Sequence, residues 1–173
     1  NRHTVFYWIV AFGLAGLTVS ISKILFLGFG IGSARFNFTG FSGHSAMSAT
    51  LWPVMLWLIS GRWSAMWRIA AIGVGYLIPL MVGFSRLVIH AHSKSEVVTG
   101  LLLGFTLSTA FLISQRRTSL KGFSWPQVGA ALLVPFVLMS HGRVATTQQF
   151  LERFAASLAG MEKPYTRADL FRQ

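Results

Sequence analysis

The stretch TVFYWIVAFGLAGLTVSIS, residues 4–22, contains no charged side chain. Its length is about that of an α-helix crossing the hydrocarbon core of a bilayer, which takes roughly 20 residues. Further apolar segments cover residues 44–60, 69–85, 97–115 and 122–142. Backbone polar groups inside hydrocarbon must bond to one another, so each segment is expected to be a helix. The chain is therefore predicted to be all-α, an integral membrane helical bundle with about five transmembrane helices.

The composition supports a membrane protein of one domain. The 173 residues are 53% hydrophobic and only 11% charged, less charge than the surface of a soluble domain requires. The chain has no cysteine, which excludes disulfides, thiolate metal sites and a cysteine nucleophile. Its formal charge of +11 could indicate nucleic-acid binding, but the basic residues stand singly or in pairs between apolar runs. Membrane lipids, and not nucleic acid, are the expected partners.

The last part of the chain has a different pattern. From residue 147 onward, four apolar side chains recur at helical spacing: Phe150, Leu151, Phe154 and Leu158. This predicts a short amphipathic helix lying on the membrane or on the bundle. We therefore divide the chain into a transmembrane domain, residues 1–146, and an amphipathic C-terminal tail, residues 147–173.

Glycines mark two places of expected close packing. The glycine-rich apolar stretch 24–34 is too short to span a bilayer and is expected to be interfacial or buried. Gly100 and Gly104 lie one helical turn apart within the segment 97–115, a spacing that favours close helix contacts.

Basic residues between the apolar segments predict the orientation. Two loops carry most of them: Arg62, Arg68, Arg116, Arg117 and Lys121. Cytoplasmic loops carry an excess of Lys and Arg, so these loops are expected inside and the segments 23–44 and 86–96 outside. We expect an inner membrane protein of a bacterium, with the outward segments facing the periplasm.

Both outward segments carry polar residues that membrane burial alone would not favour. The first reads Thr39-Gly-Phe-Ser-Gly-His44. The second contains Ser85 and Arg86, then His92 and, four residues later, Glu96, the only side-chain carboxylate before residue 152. Ionisable groups at membrane depth are costly, so this concentration predicts a functional site.

The residue types fit the transfer of a phosphate group. Ser42 and Gly43 stand where a helix is expected to begin, and free N–H groups at a helix start bind anions. Arg86 offers a planar fork of donors to phosphate oxygens. Glu96 can orient the His92 ring and leave one nitrogen free to attack.

His44 is then available as the acid that protonates the leaving oxygen. One carboxylate cannot build the oxygen-rich cage that magnesium prefers, so no metal and no other cofactor are expected.

These segments resemble the type 2 phosphatidic acid phosphatase family, whose signature has three parts: Lys-x6-Arg-Pro, Pro-Ser-Gly-His and Ser-Arg-x5-His-x3-Asp. The second part is similar to Phe41-Ser-Gly-His44, and the third to Ser85-Arg86-x5-His92-x3-Glu96. Phe41 replaces the proline, and Glu96 replaces the aspartate with a side chain one methylene longer. The resemblance covers roughly residues 5–115.

The resemblance implies a role for each matching residue. His92 is the implied nucleophile, which forms a phosphohistidine with Glu96 as its orienting partner, and His44 is the implied general acid. Ser42, Gly43 and Arg86 hold the phosphate.

The first part of the signature is incomplete in this chain. Lys23 fits its lysine, but Gly30 and Ile31 stand where arginine and proline are expected. Arg35 could supply the missing cation from a different register.

The resulting hypothesis is a metal-independent membrane phosphatase that acts on lipid phosphate or diphosphate monoesters. Two alternatives stay open. A phosphohistidine could pass its phosphate to a second lipid in place of water. A non-catalytic protein could use the same cations only to bind or transport an anionic lipid.

Overall fold

The computed structural model describes residues 2–118 and 144–172, together with Pro126. The helices in chain order are α1 (Arg2–Phe29), α2 (Gly43–Ile59), α3 (Ala65–Val88), α4 (Lys94–Ser114), α5 (Val144–Ala159) and α6 (Arg167–Leu170). A short 3-10 turn, Ser60–Arg62, joins α2 to α3. Within the described ranges the extended pairing is limited to one isolated bridge, between Ser33 and Phe38. The predicted all-α fold is confirmed for this part of the chain.

Three helices, α1, α3 and α4, are long and apolar enough to cross a membrane. The prediction of about five was too high for the described residues. The segment predicted at 44–60 forms α2, which has only 17 residues because Ser42 and Ser60 cap its two ends. The segment predicted at 122–142 lies outside the described residues, apart from Pro126.

Helix α1 is longer than the sequence indicated. The expected break after residue 22 does not occur, and the helix continues through Lys23 to Phe29. Its last turns pack against α5, where a Cβ on Gly28 would lie 2.9 Å from the carbonyl oxygen of Ala155. Part of the glycine-rich stretch is thus buried helix, and its lack of side chains lets α5 approach.

Helix α2 packs against α1, α3 and α4 through small residues. A Cβ on Gly100 of α4 would lie 2.7 Å from the carbonyl oxygen of Ser42, and one on Gly104 would collide with the carbonyl oxygen of Ala46. The close contact predicted for these two glycines is confirmed. It holds the start of α4 against the start of α2.

The order of the helices places the two sets of loops at opposite ends of the bundle. The loop 30–42 leads into α2, and the turn after α3 leads into α4, so both lie at the end where α2 and α4 begin. His90, with a φ of 53°, reverses the chain in that turn. The turn at Ser60–Arg62 lies at the opposite end.

The described part of the tail lies on the bundle. Four buried side chains form one cluster across α1, α5 and α6: Phe26, Leu27, Ala155 and Leu170. The Tyr165 N–H also donates to the carbonyl oxygen of Leu27 at 2.8 Å. Phe150, Phe154 and Leu158, predicted to share an apolar face, are exposed on α5. Leu151, the fourth residue of the predicted face, is partly buried and packs against this cluster, so the α5–α1 contact uses the side of α5 that carries Leu151 and Ala155.

Candidate active site

His92 and Glu96, from the third part of the signature, meet where α4 begins. Ser93 and Glu96 form a capping box: the Glu96 N–H donates to Ser93 Oγ at 3.3 Å, and the Ser93 N–H donates to Glu96 Oε2 at 3.1 Å. The same Oε2 lies 3.0 Å from Nδ1 of His92. His92 precedes the helix, so the contact arises from the capping box and not from the shared helical face that the four-residue spacing suggested.

The second oxygen of Glu96 holds the loop before α2. Thr39 donates to Oε1 twice, from its N–H at 2.9 Å and from Oγ1 at 2.6 Å. The Glu96 side chain has no exposed surface, while that of His92 is 19% exposed. A buried carboxylate with this many donors is stabilised in its charged form, which only accepts hydrogen bonds. Nδ1 of His92 is therefore the donor to Glu96, and in the neutral ring this tautomer leaves the lone pair on Nε2.

Arg167 was not identified from the sequence. Its Nη2 lies 2.9 Å from both carboxylate oxygens of Glu96. Its Nη1 donates to Asn37 Oδ1 at 2.6 Å and to the Asn37 carbonyl oxygen at 3.2 Å. No motif marks this arginine, which stands 71 residues from its partner. The one available signal was general, since a buried carboxylate requires a cation or several donors nearby.

The start of α2 departs from the prediction in one respect. The Ser42 N–H is not free, because it donates to the Glu96 carbonyl oxygen at 3.1 Å. The buried Ser42 side chain caps the helix and contacts Ser45 Oγ at 3.0 Å. The N–H groups that this helix start leaves without intrahelical partners are those of Gly43 and His44, and such groups are suited to bind an anion.

Four ionisable side chains converge at this end of the bundle and form the charged cluster: Lys23, His44, Arg86 and His92. The pKa of His44 is lowered by its burial first, and then by the positive charges of Arg86, His92 and Lys23. Arg86, in the last turn of α3, donates from Nε to Ser85 Oγ at 3.3 Å. A cluster of cations beside a helix start favours a bound anion. Such an anion would also favour the protonated form of His44.

Lys23 and Arg35, the two residues assigned to the incomplete first part of the signature, lie in different surroundings. Lys23 donates from Nζ to Gln148 Oε1 of α5 at 3.3 Å, and Gln148 Nε2 donates to Glu152 Oε1 at 3.0 Å. Arg35 is exposed, with its guanidinium 5.5 Å from the Phe36 ring centroid. Lys23 thus belongs to the charged cluster, whereas no hydrogen bond of the described residues joins Arg35 to it.

Comparison with known proteins gives the family. The model of the PAP2 superfamily matches residues 4–119, which contain every candidate site residue named from the sequence. The chain is 45% identical to the "Uncharacterized 22.5 kDa protein in cps region" of Klebsiella pneumoniae, over 176 aligned residues that cover 100% of this chain and 84% of the relative. No solved structure gives a significant match. The extent of both matches shows that this protein belongs to the PAP2 superfamily.

Proposed function

We propose that this protein is a membrane phosphatase that hydrolyses lipid phosphate or diphosphate monoesters through a phosphohistidine on His92. Phosphatases of the PAP2 superfamily act on phosphorylated substrates in membranes. The observation that carries the proposal is the 3.0 Å contact between His92 Nδ1 and Oε2 of the buried Glu96. It fixes the tautomer in which Nε2 is the nucleophile.

In the first half of the reaction, the lone pair of His92 Nε2 forms a bond to phosphorus while the bond from phosphorus to the lipid oxygen breaks. His44, in its protonated form, gives its proton to the departing oxygen, and the lipid alcohol leaves, or the lipid monophosphate when the substrate is a diphosphate. The ring of His92 becomes positively charged at this point. Glu96 stabilises that charge through Nδ1–H.

In the second half, a water molecule attacks the phosphohistidine. Neutral His44 takes the proton of this water, the P–N bond breaks, and its electron pair returns to His92 Nε2. Inorganic phosphate leaves, and both histidines regain their starting protonation. Each proton that His44 donates is thus recovered in the same cycle.

The site offers the phosphate cations and N–H groups in place of a metal. Arg86, Lys23 and the first-turn N–H groups of α2 supply donors to its oxygens. Both Glu96 oxygens already accept from Thr39, His92, Ser93 and Arg167. The carboxylate therefore has no lone pair directed to a magnesium ion, and we propose metal-independent hydrolysis.

The surroundings of the site favour a lipid as the group that carries the phosphate. Exposed apolar side chains flank the charged cluster on the loop before α2 and at the end of α3: Ile31, Phe36, Val88 and Ile89. Apolar side chains beside a polar pocket suit a molecule with a charged head and an acyl or isoprenoid tail.

The test is a panel of lipid phosphates and diphosphates presented to the purified protein, with inorganic phosphate as the measured product and chelator present throughout. We expect the wild type to release phosphate. His92→Ala should lose this release, and it should also lose the acid-labile label that a radioactive substrate leaves on the protein. Transfer of the label to a second lipid would identify a phosphotransferase. Binding without turnover would identify a lipid-binding protein, and either result would overturn the proposal.

A further inference from the structure

The C-terminal tail carries a guanidinium into the site, beyond the residues that the family shares. The family match ends at residue 119, whereas Arg167 lies in the first turn of α6. Its side chain is 38% exposed and contacts the fully buried Glu96. It therefore reaches the dyad from the side of the tail.

Two features hold the short helix that carries Arg167: a capping box at its start and a buried side chain at its end. Thr166 and Asp169 form a capping box at the start of α6, in which the Thr166 N–H donates to Asp169 Oδ2 at 2.8 Å. Three residues after Arg167, Leu170 is only 2% exposed and packs in the cluster with Phe26 and Leu27. The anchor on α1 thus sets where the guanidinium lies.

The two carboxylate oxygens of Glu96 bind different partners, and Arg167 contacts both oxygens. Thr39 binds Oε1, while His92 and Ser93 bind Oε2, and Arg167 bridges both. A glutamate has one more rotatable bond than the aspartate of the family signature. Its carboxylate therefore needs more partners to hold one orientation.

We propose that Arg167 is a positioning residue of this site: its guanidinium holds the Glu96 carboxylate in the orientation that binds His92 Nδ1, and so makes the C-terminal tail part of the catalytic apparatus. The proposal rests on the proposed phosphatase function. Arg167 acts through Glu96 and is not assigned a contact with the substrate phosphate.

Removal of Arg167 has two separable effects. The Glu96 carboxylate loses a fixed partner on each oxygen, which misaligns His92 and lowers kcat. The carboxylate also loses a neighbouring positive charge, so its negative charge acts more strongly on the His92 ring and favours the protonated ring. The second effect moves the acid limb of the pH profile to higher pH, a change that a merely structural role would not produce.

The experiment compares Arg167→Gln, Arg167→Lys and the control Arg172→Gln, an exposed arginine near the end of the tail. For Arg167→Gln we expect kcat to fall on the order of ten- to a hundredfold, the size of the loss when a metal-ligating side chain loses the partner that orients it. We expect KM to stay within about threefold, because ground-state binding is unchanged. The acid limb of kcat/KM should move up by about half a pH unit or more.

The other two variants make the result specific. Arg167→Lys keeps the charge but not the forked donors, so its acid limb should stay near that of the wild type while kcat is intermediate. Arg172→Gln should match the wild type in both kcat and the acid limb.

Unchanged kcat and pH profile in Arg167→Gln would overturn the proposal. A rise in KM with unchanged kcat would also overturn it, since the arginine would then bind substrate. Should Arg167→Gln fail to fold, a wild-type kcat in Arg167→Lys would overturn it as well.

A second readout does not depend on turnover. In protein labelled with ¹⁵N-histidine, the Nδ1 proton that His92 donates to Glu96 should give a strongly downfield signal, assigned by its absence in His92→Ala. We expect this signal to be lost or broadened in Arg167→Gln and kept in Arg172→Gln. Its retention in Arg167→Gln would show that Arg167 does not position the dyad. Failure of the wild type to release phosphate, with the signal still dependent on Arg167, would instead count against the proposed function alone.

Discussion

At the scale of single residues, Glu96 joins the parts of the site. Its side chain accepts hydrogen bonds from four residues that come from three separate stretches of chain: Thr39, His92, Ser93 and Arg167. Its backbone carbonyl receives the N–H of Ser42, which starts α2. One buried carboxylate therefore fixes the tautomer of the proposed nucleophile, the loop before α2 and the tail.

The first residue-scale prediction concerns replacement of this carboxylate. Glu96→Gln keeps the size but substitutes an NH₂ group for one acceptor oxygen, so His92 either loses its Nδ1 partner or takes the other tautomer. Loss of the comparable carboxylate in a serine-protease triad lowers kcat by about 10⁴. Here Arg167 and Thr39 still hold the side chain, and we expect a loss on the order of a hundredfold or more in kcat. The measurement is phosphate release at matched concentrations of folded protein.

Two comparisons complete this prediction. Glu96→Asp withdraws the carboxylate by about 1.5 Å, so its partners on both oxygens cannot all be kept, and we expect partial activity. Glu162→Gln, an exposed position in the tail, should behave as the wild type. A near wild-type kcat for Glu96→Gln would mean that Glu96 serves only as a helix cap.

How much of the site could be predicted differs from residue to residue. His92, Glu96, His44 and Arg86 follow from residue types at fixed spacing, and the structure brings all four together. Arg167 could not be predicted, because its place depends on how a separate helix packs and not on any local pattern. The prediction that the Ser42 N–H is free was wrong for a similar reason, since that donor pairs with a residue far along the chain.

At the scale of helices, hydropathy gave the number and order of α1 to α4 but placed the end of α1 too early. It read Lys23 as a break, although the long side chain remains in α1 and finds a partner in Gln148 of α5. It also gave no information on which face of α5 meets α1. That choice follows from a fit between Gly28 and Ala155, which only the packed structure contains.

The element-scale prediction tests whether tail docking supports the site. Leu170→Ala removes a fully packed side chain from the cluster on α1, which costs about 2–4 kcal/mol at such positions. We expect α6 to loosen and phosphate release to fall, although Leu170 contacts no reacting group. The matched control is Leu158→Ala, because Leu158 is 60% exposed on α5 and its loss should leave activity unchanged. Equal activity in both variants would show that the site does not depend on the docked tail.

At the scale of the whole molecule, the cations fall into two sets at opposite ends of the bundle. At the site end, Lys23 and Arg86 belong to the charged cluster and Arg167 pairs with Glu96, which leaves Arg35 and Lys94 as the exposed cations of the described residues before α5 at that end. The end with the turn Ser60–Arg62 carries exposed Arg62, and Arg116 follows α4 at the same end. The second set has no such duty within the site, and it is the set that the positive-inside rule should count.

The last prediction follows from this division. If the rule applies to Arg62 and Arg116, their end of the bundle is cytoplasmic and the charged cluster opens to the periplasm. The chain has no cysteine, so a single added one reports its own side of the membrane. Ala34, in the exposed loop before α2, and Ser64, at the exposed start of α3, mark the two ends. In intact cells, an impermeant maleimide should label Ala34→Cys at once and Ser64→Cys only after permeabilisation, while both should react in detergent. The opposite order would place the site in the cytoplasm. It would then mean that the cations bound at the site, and not those at the other end, set the orientation.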